Sequence, residues 1–246
     1  MNNATYAQLG ARWYEAQDDP VALLRAEARH RNPWVAEWIA RTFGARPCSL
    51  LDIGCGAGFL SNDMAARGHR AVGIDAAPEA LAVAARHDRT RTARYLPGDA
   101  QRLPFAAGTF DVVCAMDLLE HVDRPEQVIA EAARVLAPSG LFFFHTFNRN
   151  PLAWLVVIKG VEWFVKNTPR DMHVLDAFLK PSEVRAMCRS HGLEPREVNG
   201  SRPRFDRAMW RMLRTGAVPP ELSFTFTRST ALAYTGVAQR IAARLD

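Results

Sequence analysis

Cysteine is scarce in this sequence, with only four in 246 residues. They are Cys48, Cys55, Cys114 and Cys188, and none belongs to a C-x-x-C pair. Each lies in or beside an apolar run, which is typical of reduced, buried thiols and not of disulfides or a zinc site. The first residues also lack the basic start, apolar run and small-residue cleavage site of a secretory signal. We therefore expect a cytoplasmic protein in which cysteine carries no chemistry.

Acidic residues are outnumbered by basic ones, which gives a formal net charge of +5. Much of the excess comes from arginines late in the chain, at Arg196, Arg202, Arg204, Arg207, Arg211 and Arg214. A positive surface favours an anionic partner, either nucleic acid or an acidic membrane surface. A solvated surface without any partner is an equal alternative, because charge runs are usually hydrated.

Internal repeats and low-complexity tracts are absent, and from residue 49 short apolar runs alternate with helical patterns. This alternation predicts an α/β fold with a mostly parallel, doubly wound sheet. The predicted strands are 49–53, 70–74, 94–96, 110–115 and 141–146. The predicted helices are 58–67, 78–87 and 125–136. The stretch before residue 45 is predicted to be mostly helical, with breaks at Pro20 and near Pro33.

The stretch "LLDIGCGAGFL" is the strongest motif in the sequence. An apolar strand ends at Asp52, and Gly54, Gly56 and Gly58 follow before a helix. Glycines at such a turn let the backbone approach a ligand closely. A dinucleotide-binding loop would place its last glycine at position 61, where this chain has Ser61.

Two further acids stand where the next two strands end, Asp75 in "VGIDAAP" and Asp99 in "LPGDAQRLPF". A carboxylate at the first of these positions can accept hydrogen bonds from both hydroxyls of a ribose. The carboxyl ends of parallel strands meet in the crevice where such folds bind ligands. The three segments together predict a cofactor that contains a nucleoside.

These residues resemble the first motifs of the class I S-adenosylmethionine-dependent methyltransferases, over about residues 49–146. The resemblance implies a seven-stranded Rossmann-like sheet with Gly54, Gly56 and Gly58 at the methionine part of S-adenosylmethionine and Asp75 at its ribose. Met116 would close over the adenine or sulfonium side, or serve as an ordinary core methionine. The complete cofactor-binding set is Arg31, Asp52, Gly54, Gly56, Gly58, Asp75, Ala76, Asp99, Ala100 and Met116.

A closer resemblance extends over residues 9–193. The segments "LGARWYEAQDD", "RNP", "MDLLEHV", "HTFNRNP" and "MHVLDAFLKP", with a late "STALAYTGVA", are similar to the ubiquinone-biosynthesis O-methyltransferases, which methylate catechol hydroxyls on polyprenylated rings. The sequence departs from that family at Val35, where an arginine is common. Arg31 is expected to take over the contact of that arginine with the cofactor carboxylate.

The stretch "MDLLEHV" places Asp117, Glu120 and His121 on one face of a helical turn. Asp117 and Glu120 alone could be a helix cap. The family resemblance implies instead a divalent metal site for Mg²⁺ or Mn²⁺ formed by Asp117, Glu120, His121 and the distant His173. Asp117 is one methylene shorter than the family's glutamate. Both interpretations stay open at this point.

A phenol has an ordinary pKa near 10, so its oxygen must lose a proton before it attacks a methyl group. The expected catalytic residues are Glu120, His121 and His145. In a variant without a metal ion, His121, His145 or His173 would act as the general base. His145 ends the fifth predicted strand and points either to the site or into the core.

Residues 150–167, "NPLAWLVVIKGVEWFVKN", form an apolar stretch with a narrow polar stripe at Lys159, Glu162 and Lys166. The stretch is shorter than the roughly 20 residues that span a bilayer. An amphipathic helix at the membrane interface is the expected structure. A helix buried over the sheet or in a dimer interface is the alternative.

We expect one methyltransferase domain in four parts: a helical N-terminal cap (1–45), a cofactor-binding core (46–149), an insertion for substrate and membrane (150–182) and the C-terminal part of the sheet (183–246). The expected substrate is a polyprenyl phenol or catechol. The enzyme would contact the anionic inner face of the membrane and other quinone-biosynthesis enzymes, and no nucleic acid is expected. The alternatives are methylation of a soluble phenol or an RNA end, and a non-catalytic membrane- or quinone-binding subunit.

Overall fold

The computed structural model describes residues 9–169 and 174–241. The strands are β1 (Ser49–Ile53), β2 (Arg70–Asp75), β3 (Arg94–Pro97), β4 (Phe110–Met116), β5 (Leu136–Phe147), β6 (Leu193–Pro203), β7 (Phe224–Thr227) and β8 (Ala233–Arg240). The α-helices are α1 (Arg12–Glu15), α2 (Val21–Phe43), α3 (Phe59–Ala66), α4 (Pro78–His87), α5 (Pro125–Val135), α6 (Pro151–Ala153), α7 (Gly160–Phe164), α8 (Pro181–Ser190) and α9 (Arg207–Thr215).

The strands form one sheet in the order β3-β2-β1-β4-β5-β8-β6-β7. Neighbours from β3 to β5 run parallel, whereas β8, β6 and β7 pair antiparallel. The predicted doubly wound, mostly parallel sheet is therefore confirmed. The described residues form eight strands instead of the seven expected, because the short β7 adds an edge strand to β6. The strand order reverses between β1 and β4, where folds of this kind bind ligands.

Both faces of the sheet are covered by helices, as the near-continuous apolar strands require. Phe142 and Phe144 of β5 point to one side and pack in a core with residues of α5 and α8. Phe143, between them, points to the other side and packs with residues of α2 and α3. This alternation follows from the two-residue period of a strand, and it anchors the site-bearing loops on a rigid sheet.

The predicted boundaries of β1 and α4 match the structure, while β5 begins five residues before its predicted start. The early part of β5 contains Pro138 and Gly140, which favour a turn. Leu136 nevertheless pairs with Phe110 before the register shifts. The strand therefore accommodates a turn-like sequence as an irregularity at its beginning.

Helix α2 runs unbroken through Pro33, so the predicted break there is wrong. Val35 and Ile39, after the proline, are buried against the sheet. Packing of this second half offsets the missing proline N–H, which on its own would favour a break. The break at Pro20 is confirmed, since α2 begins directly after it. The continuous helix carries Glu27 and Arg31 along one side of the ligand crevice.

The predicted helix in residues 150–167 has three parts: α6, six residues of π-helix (Trp154–Lys159) and α7. Many of its apolar residues are exposed, with Trp163 at 64% exposure, whereas Ala153, Ile158 and Val165 are buried. The side chain of Lys159 is only 30% exposed and pairs with Glu162 at 2.6 Å. A helix buried over the sheet is therefore wrong for this segment, whereas the membrane-interface helix and the dimer interface both stay predictions. Within residues 9–169 and 174–241, no helix is long and apolar enough to cross a membrane.

Candidate active site

The glycine-rich loop between β1 and α3 is held by the neighbouring strand β2. The backbone N–H of Gly54 donates to the Ile74 carbonyl at 2.8 Å. Asp75, at the end of β2, accepts hydrogen bonds from the backbone N–H of Gly56 and of Ala77, at 2.8 and 2.9 Å. A carboxylate can accept about four hydrogen bonds, so Asp75 retains acceptor capacity for a ribose.

Gly56 and Gly58 need to be glycine for different reasons. Both have positive φ, +50° and +78°, which favours glycine. A Cβ on Gly56 would lie 3.2 Å from the ring of Trp13 in the crevice. A Cβ on Gly58 would lie 2.7 Å from the Tyr95 hydroxyl and 2.8 Å from Ala84. Gly58 therefore permits close packing beneath the loop.

Asp52 and Ser61 form a buried pair at the base of the loop. The Ser61 hydroxyl donates to Asp52 Oδ2 at 2.6 Å. Burial raises the pKa of Asp52 to about 7, although the hydrogen bonds from Ser61 partly oppose that shift. Ser61 therefore stands where a dinucleotide-binding motif has its last glycine. Its hydroxyl is bonded to Asp52, the acid that precedes the glycine loop of this chain.

A cavity of about 1370 Å³ runs along the carboxyl ends of the central strands. Its lining includes nine of the ten predicted cofactor residues, namely Arg31, Asp52, Gly54, Gly56, Asp75, Ala76, Asp99, Ala100 and Met116. Gly58 is the one that does not line it, for the packing reason given above. Met116 lines the cavity and also packs against the core, so its contact with the cofactor stays a prediction. The structure therefore brings the predicted set together, while its contacts with a cofactor stay a prediction.

The "MDLLEHV" stretch does not form the predicted cap. Asp117 follows β4 with φ of +54°, and a short 3₁₀ helix spans Leu119–His121. Leu118 is the N-cap residue, and no side-chain hydrogen bond caps this turn. The capping hypothesis is therefore wrong, because the Asp117 carboxylate points to α2 instead.

Asp117 forms a bidentate ion pair with Arg31. Arg31 Nη1 lies 2.9 Å from Oδ1 and Nη2 lies 2.5 Å from Oδ2. Both groups are largely buried, with the side chain of Arg31 only 4% exposed. Burial alone would raise the pKa of Asp117, but the charge of Arg31 outweighs it and lowers the pKa to about 2. Asp117 is therefore a carboxylate at any physiological pH.

A second buried group, Glu27, stands beside this pair and was not predicted from the sequence. It precedes Arg31 by one helical turn on α2, which was the only signal available. The Ser201 hydroxyl donates to Glu27 Oε1 at 2.9 Å, and His145 Nε2 lies 3.3 Å from the same oxygen. Burial raises the pKa of Glu27 to about 7.

His145 lies in the interior and not among the residues that line the cavity. Its Nδ1 is 2.7 Å from the Thr235 hydroxyl, and its Nε2 is 3.6 Å from Asp117 Oδ1. Burial lowers the pKa of His145 to about 3, with Arg31 acting in the same direction. Of its two predicted locations, the structure gives the core, where a neutral imidazole is a poor proton acceptor.

Glu120 and His121 do line the cavity. Glu120 is fully buried, and its Oε2 accepts a hydrogen bond from Thr146 at 2.7 Å. Burial, reinforced by the negative charge of Asp117, raises the pKa of Glu120 to about 8. Burial lowers the pKa of His121 to about 4. Two of the three predicted catalytic groups thus reach the cavity.

The predicted metal ligands do not converge in the described structure. Both oxygens of Asp117 are bonded to Arg31, and His173 lies outside the described residues. Among residues 9–169 and 174–241, the only group with metal-ligand geometry is Glu27, Asp117 and His145. A guanidinium already occupies the carboxylate of that group, so a divalent cation does not fit there. The metal requirement itself stays a prediction.

An open, mostly parallel sheet, a glycine loop after β1 and acids after β1 and β2 together define a class I S-adenosylmethionine-dependent methyltransferase. The family described as "Methyltransferase domain" matches residues 51–144. The magnesium protoporphyrin IX methyltransferase (ChlM) of Synechocystis PCC 6803, solved with bound SAH, has the same fold. Its TM-score is 0.63 at 17% identity, with 97% of this chain and 95% of that chain covered.

The particular family follows from curated relatives. The ubiquinone biosynthesis O-methyltransferase of Aromatoleum aromaticum is 37% identical over 198 residues, which cover 79% of this chain and 82% of that protein. The enzyme of the same name from Pseudomonas fluorescens is 37% identical over 206 residues, 80% of this chain and 84% of that protein. The chain belongs to the family of the ubiquinone biosynthesis O-methyltransferases. The family resemblance and the S-adenosylmethionine-dependent O-methyltransferase activity are confirmed.

Replacing Asp75 with alanine is expected to weaken the binding of S-adenosylmethionine by about 2 kcal/mol, roughly 30-fold. The variant loses charged acceptors for the ribose hydroxyls and also frees the N–H of Gly56. Isothermal calorimetry measures the loss directly, with Glu126→Ala, an exposed carboxylate outside the cavity lining, as a control that should change affinity by less than about 1 kcal/mol. Unchanged affinity in Asp75→Ala would remove Asp75 from the ribose site.

Proposed function

We propose that this chain methylates a catechol or phenol hydroxyl of a polyprenylated ubiquinone precursor. The observation that carries the proposal is the continuity of the cavity. It extends from the glycine loop, past Asp117, Glu120 and His121, into a region lined by apolar side chains. This region is lined by Leu155, Val156, Val161, Trp163, Phe164, Met209, Met212, Leu213, Leu222 and Phe224.

The apolar region suits a prenyl tail because every isoprene unit is hydrocarbon. Burial of apolar surface contributes about 25 cal/mol per Å², so several isoprene units would supply most of the binding energy. The methionines Met209 and Met212 add flexible side chains that adapt to a long, irregular ligand. A soluble phenol or an RNA end would leave this region unused, and the cavity therefore favours the prenylated substrate.

The polar region between the two ends suits the ring hydroxyl. S-adenosylmethionine supplies an electrophilic methyl group on a sulfonium. Glu120 and His121 stand at the cavity wall directly after β4, and we assign to them the first contact with the hydroxyl proton. Holding the oxygen in line with the methyl group would provide most of the remaining rate.

The outer opening of the cavity favours contact with a membrane. Leu155, Val156, Trp163 and Phe164 are exposed and line the cavity as well, so they stand at its mouth. A prenyl tail could pass from the bilayer into this mouth without crossing water. Helix α9 packs beside α7 and exposes Trp210 together with basic residues such as Arg207 and Arg214. Aromatic and basic residues together suit the surface of an anionic bilayer, where other quinone-biosynthesis enzymes would meet the same substrate.

The proposal predicts a strong dependence on the prenyl tail. With labelled S-adenosylmethionine, methylation of a catechol carrying a few isoprene units should exceed that of the bare catechol in kcat/KM by about 100-fold or more. A non-catalytic subunit would bind the cofactor without turnover. Equal rates on prenylated and bare catechols, or transfer to a small RNA, would overturn the proposed substrate class.

The proposal contains no step through a metal ion, because Asp117 is engaged by Arg31. The Mg²⁺ or Mn²⁺ predicted from the family would need this carboxylate together with Glu120, His121 and His173.

A further inference from the structure

Arg31 holds a buried hydrogen-bond donor that has no acceptor. Its two terminal nitrogens bind Asp117, whereas Nε has no hydrogen-bond partner among the described residues. Leaving a buried donor unsatisfied costs about 1–3 kcal/mol. Arg31 also lines the cavity. The nitrogen itself is closed off from the cavity, but the positive charge of the guanidinium lies at the cavity wall.

Helix α2 places Arg31 between the two ends of the cavity. Asn32, the next residue, donates from Nδ2 to the Phe59 carbonyl at the glycine loop. Leu23, about two turns earlier, packs with Met209 and Met212 of the apolar region. At 1.5 Å per residue, Leu23 and Arg31 are about 12 Å apart along the helix. The guanidinium is thus located where the ring of a prenylated substrate would meet the cofactor.

We propose that Arg31 is the cationic group of this active site and that its positive charge stabilises the ionised ring oxygen. This inference rests on the proposed function. When the hydroxyl ionises, its O–H bond breaks, the electron pair stays on the oxygen, and the proton passes to water in the cavity. A positive charge close to an ionisable group favours its anionic form. Arg31 therefore lowers the pKa of the bound substrate.

The ion pair also explains why a divalent cation does not fit beside Asp117. The cation would have to displace Arg31 and leave a buried guanidinium without its carboxylate, which costs about 3–5 kcal/mol. The cation would also be repelled by the positive charge of Arg31 at short range. In this chain the guanidinium consequently takes the place of the metal ion that the family resemblance implies.

Nitrocatechol tests the inference because its visible absorption reports whether the hydroxyl is ionised. The probe is titrated with pH in the presence of the full chain and S-adenosylhomocysteine, once with chelator and once with Mg²⁺. In the parent protein the ionisation constant of the bound probe should rise about tenfold over that of the free probe. The same shift should appear with chelator and with Mg²⁺.

Two variants separate the charge of Arg31 from its structural role. The double variant Arg31→Gln with Asp117→Asn replaces the ion pair by an uncharged amide pair, and the probe should then ionise as it does in solution. Asp117→Asn alone removes the carboxylate bonded to the guanidinium while Glu27 and Glu120 stay nearby, and it should shift the ionisation further in the same direction. A shift that survives in the double variant, or that needs Mg²⁺, overturns the inference.

Calorimetry with S-adenosylmethionine distinguishes the alternative role of Arg31 at the cofactor carboxylate. The double variant should bind the cofactor within about twofold of the parent protein. A loss of about tenfold or more would assign Arg31 to the cofactor and overturn the inference.

If nitrocatechol does not bind, the pH dependence of kcat on a prenylated catechol is measured instead. The acidic limb of that pH profile should move up by about one pH unit in the double variant. An unmoved limb would overturn the inference, whereas absence of any methylation by the parent protein would overturn the proposed function itself.

Discussion

Asp117→Ala is expected to lower the free energy of unfolding by about 3–5 kcal/mol. The substitution leaves the Arg31 guanidinium buried without its carboxylate, which is the costly way to break a buried ion pair. Loss of a helix cap would cost only about 1 kcal/mol. Chemical denaturation followed by circular dichroism at neutral pH measures the difference between these values.

Two variants make the Asp117 result specific. Asp123→Ala removes an exposed carboxylate from the same loop and should change stability by less than about 0.5 kcal/mol. The double variant Arg31→Gln with Asp117→Asn should recover much of the stability that Asp117→Ala loses, because no charge is left unpaired. A cost near 1 kcal/mol for Asp117→Ala, without such recovery, would contradict the ion pair as the main partner of Asp117.

Replacing Trp154, Trp163 and Phe164 with serine is expected to reduce binding to anionic liposomes by roughly 100-fold. Each ring is between 41% and 64% exposed, so transfer of each into the interface contributes about 1 kcal/mol. The three contributions sum to about 3 kcal/mol, which corresponds to a factor of roughly 100. Sedimentation with liposomes measures the partition, and binding of S-adenosylmethionine should stay unchanged.

The control for the membrane variant is Leu96→Ser, an exposed apolar residue on β3, at the far edge of the sheet. It should sediment with liposomes as the parent protein does. Analytical ultracentrifugation of the triple variant addresses the alternative of a dimer interface. A change of oligomeric state, or unfolding, would show that the rings stabilise protein–protein or core contacts and not a membrane contact.

The sheet could be predicted because its signals are local. Apolar runs separated by glycine or proline predicted the bounds of β1 and α4 to the residue, because central strands such as β1 and β4 are buried on both faces. The prediction of a break at Pro33 failed because the second half of the helix packs against the sheet. That packing stabilises the helix, and a local sequence pattern does not show it. The edge strand β7, with the sequence FTFT, alternates as a strand does, but it is only four residues long and was not predicted; it pairs only with β6.

The cofactor loops could be predicted for a similar reason: Gly54, Gly56 and Asp75 follow strand ends whose positions are readable. The buried polar group of Glu27, Arg31, Asp117 and His145 could not be predicted, because its contacts join distant parts of the chain. Arg31 and Asp117 are 86 residues apart, and Ser201 and Glu27 are 174 apart. No spacing rule links such residues, so the sequence suggested a cap or a metal site where the fold forms an ion pair.

The π-helical segment Trp154–Lys159 determines the directions in which the side chains of the following helix α7 point. A π-helix holds more residues per turn than an α-helix and usually marks an inserted residue. Each residue of a regular α-helix advances the side-chain direction by about 100°. Loss of one residue from this segment would therefore turn α7 by about that angle and move Trp163 and Phe164 away from their present directions at the mouth of the cavity. Deletion of Lys159, which does not line the cavity, would thus change the mouth while keeping every residue that lines it.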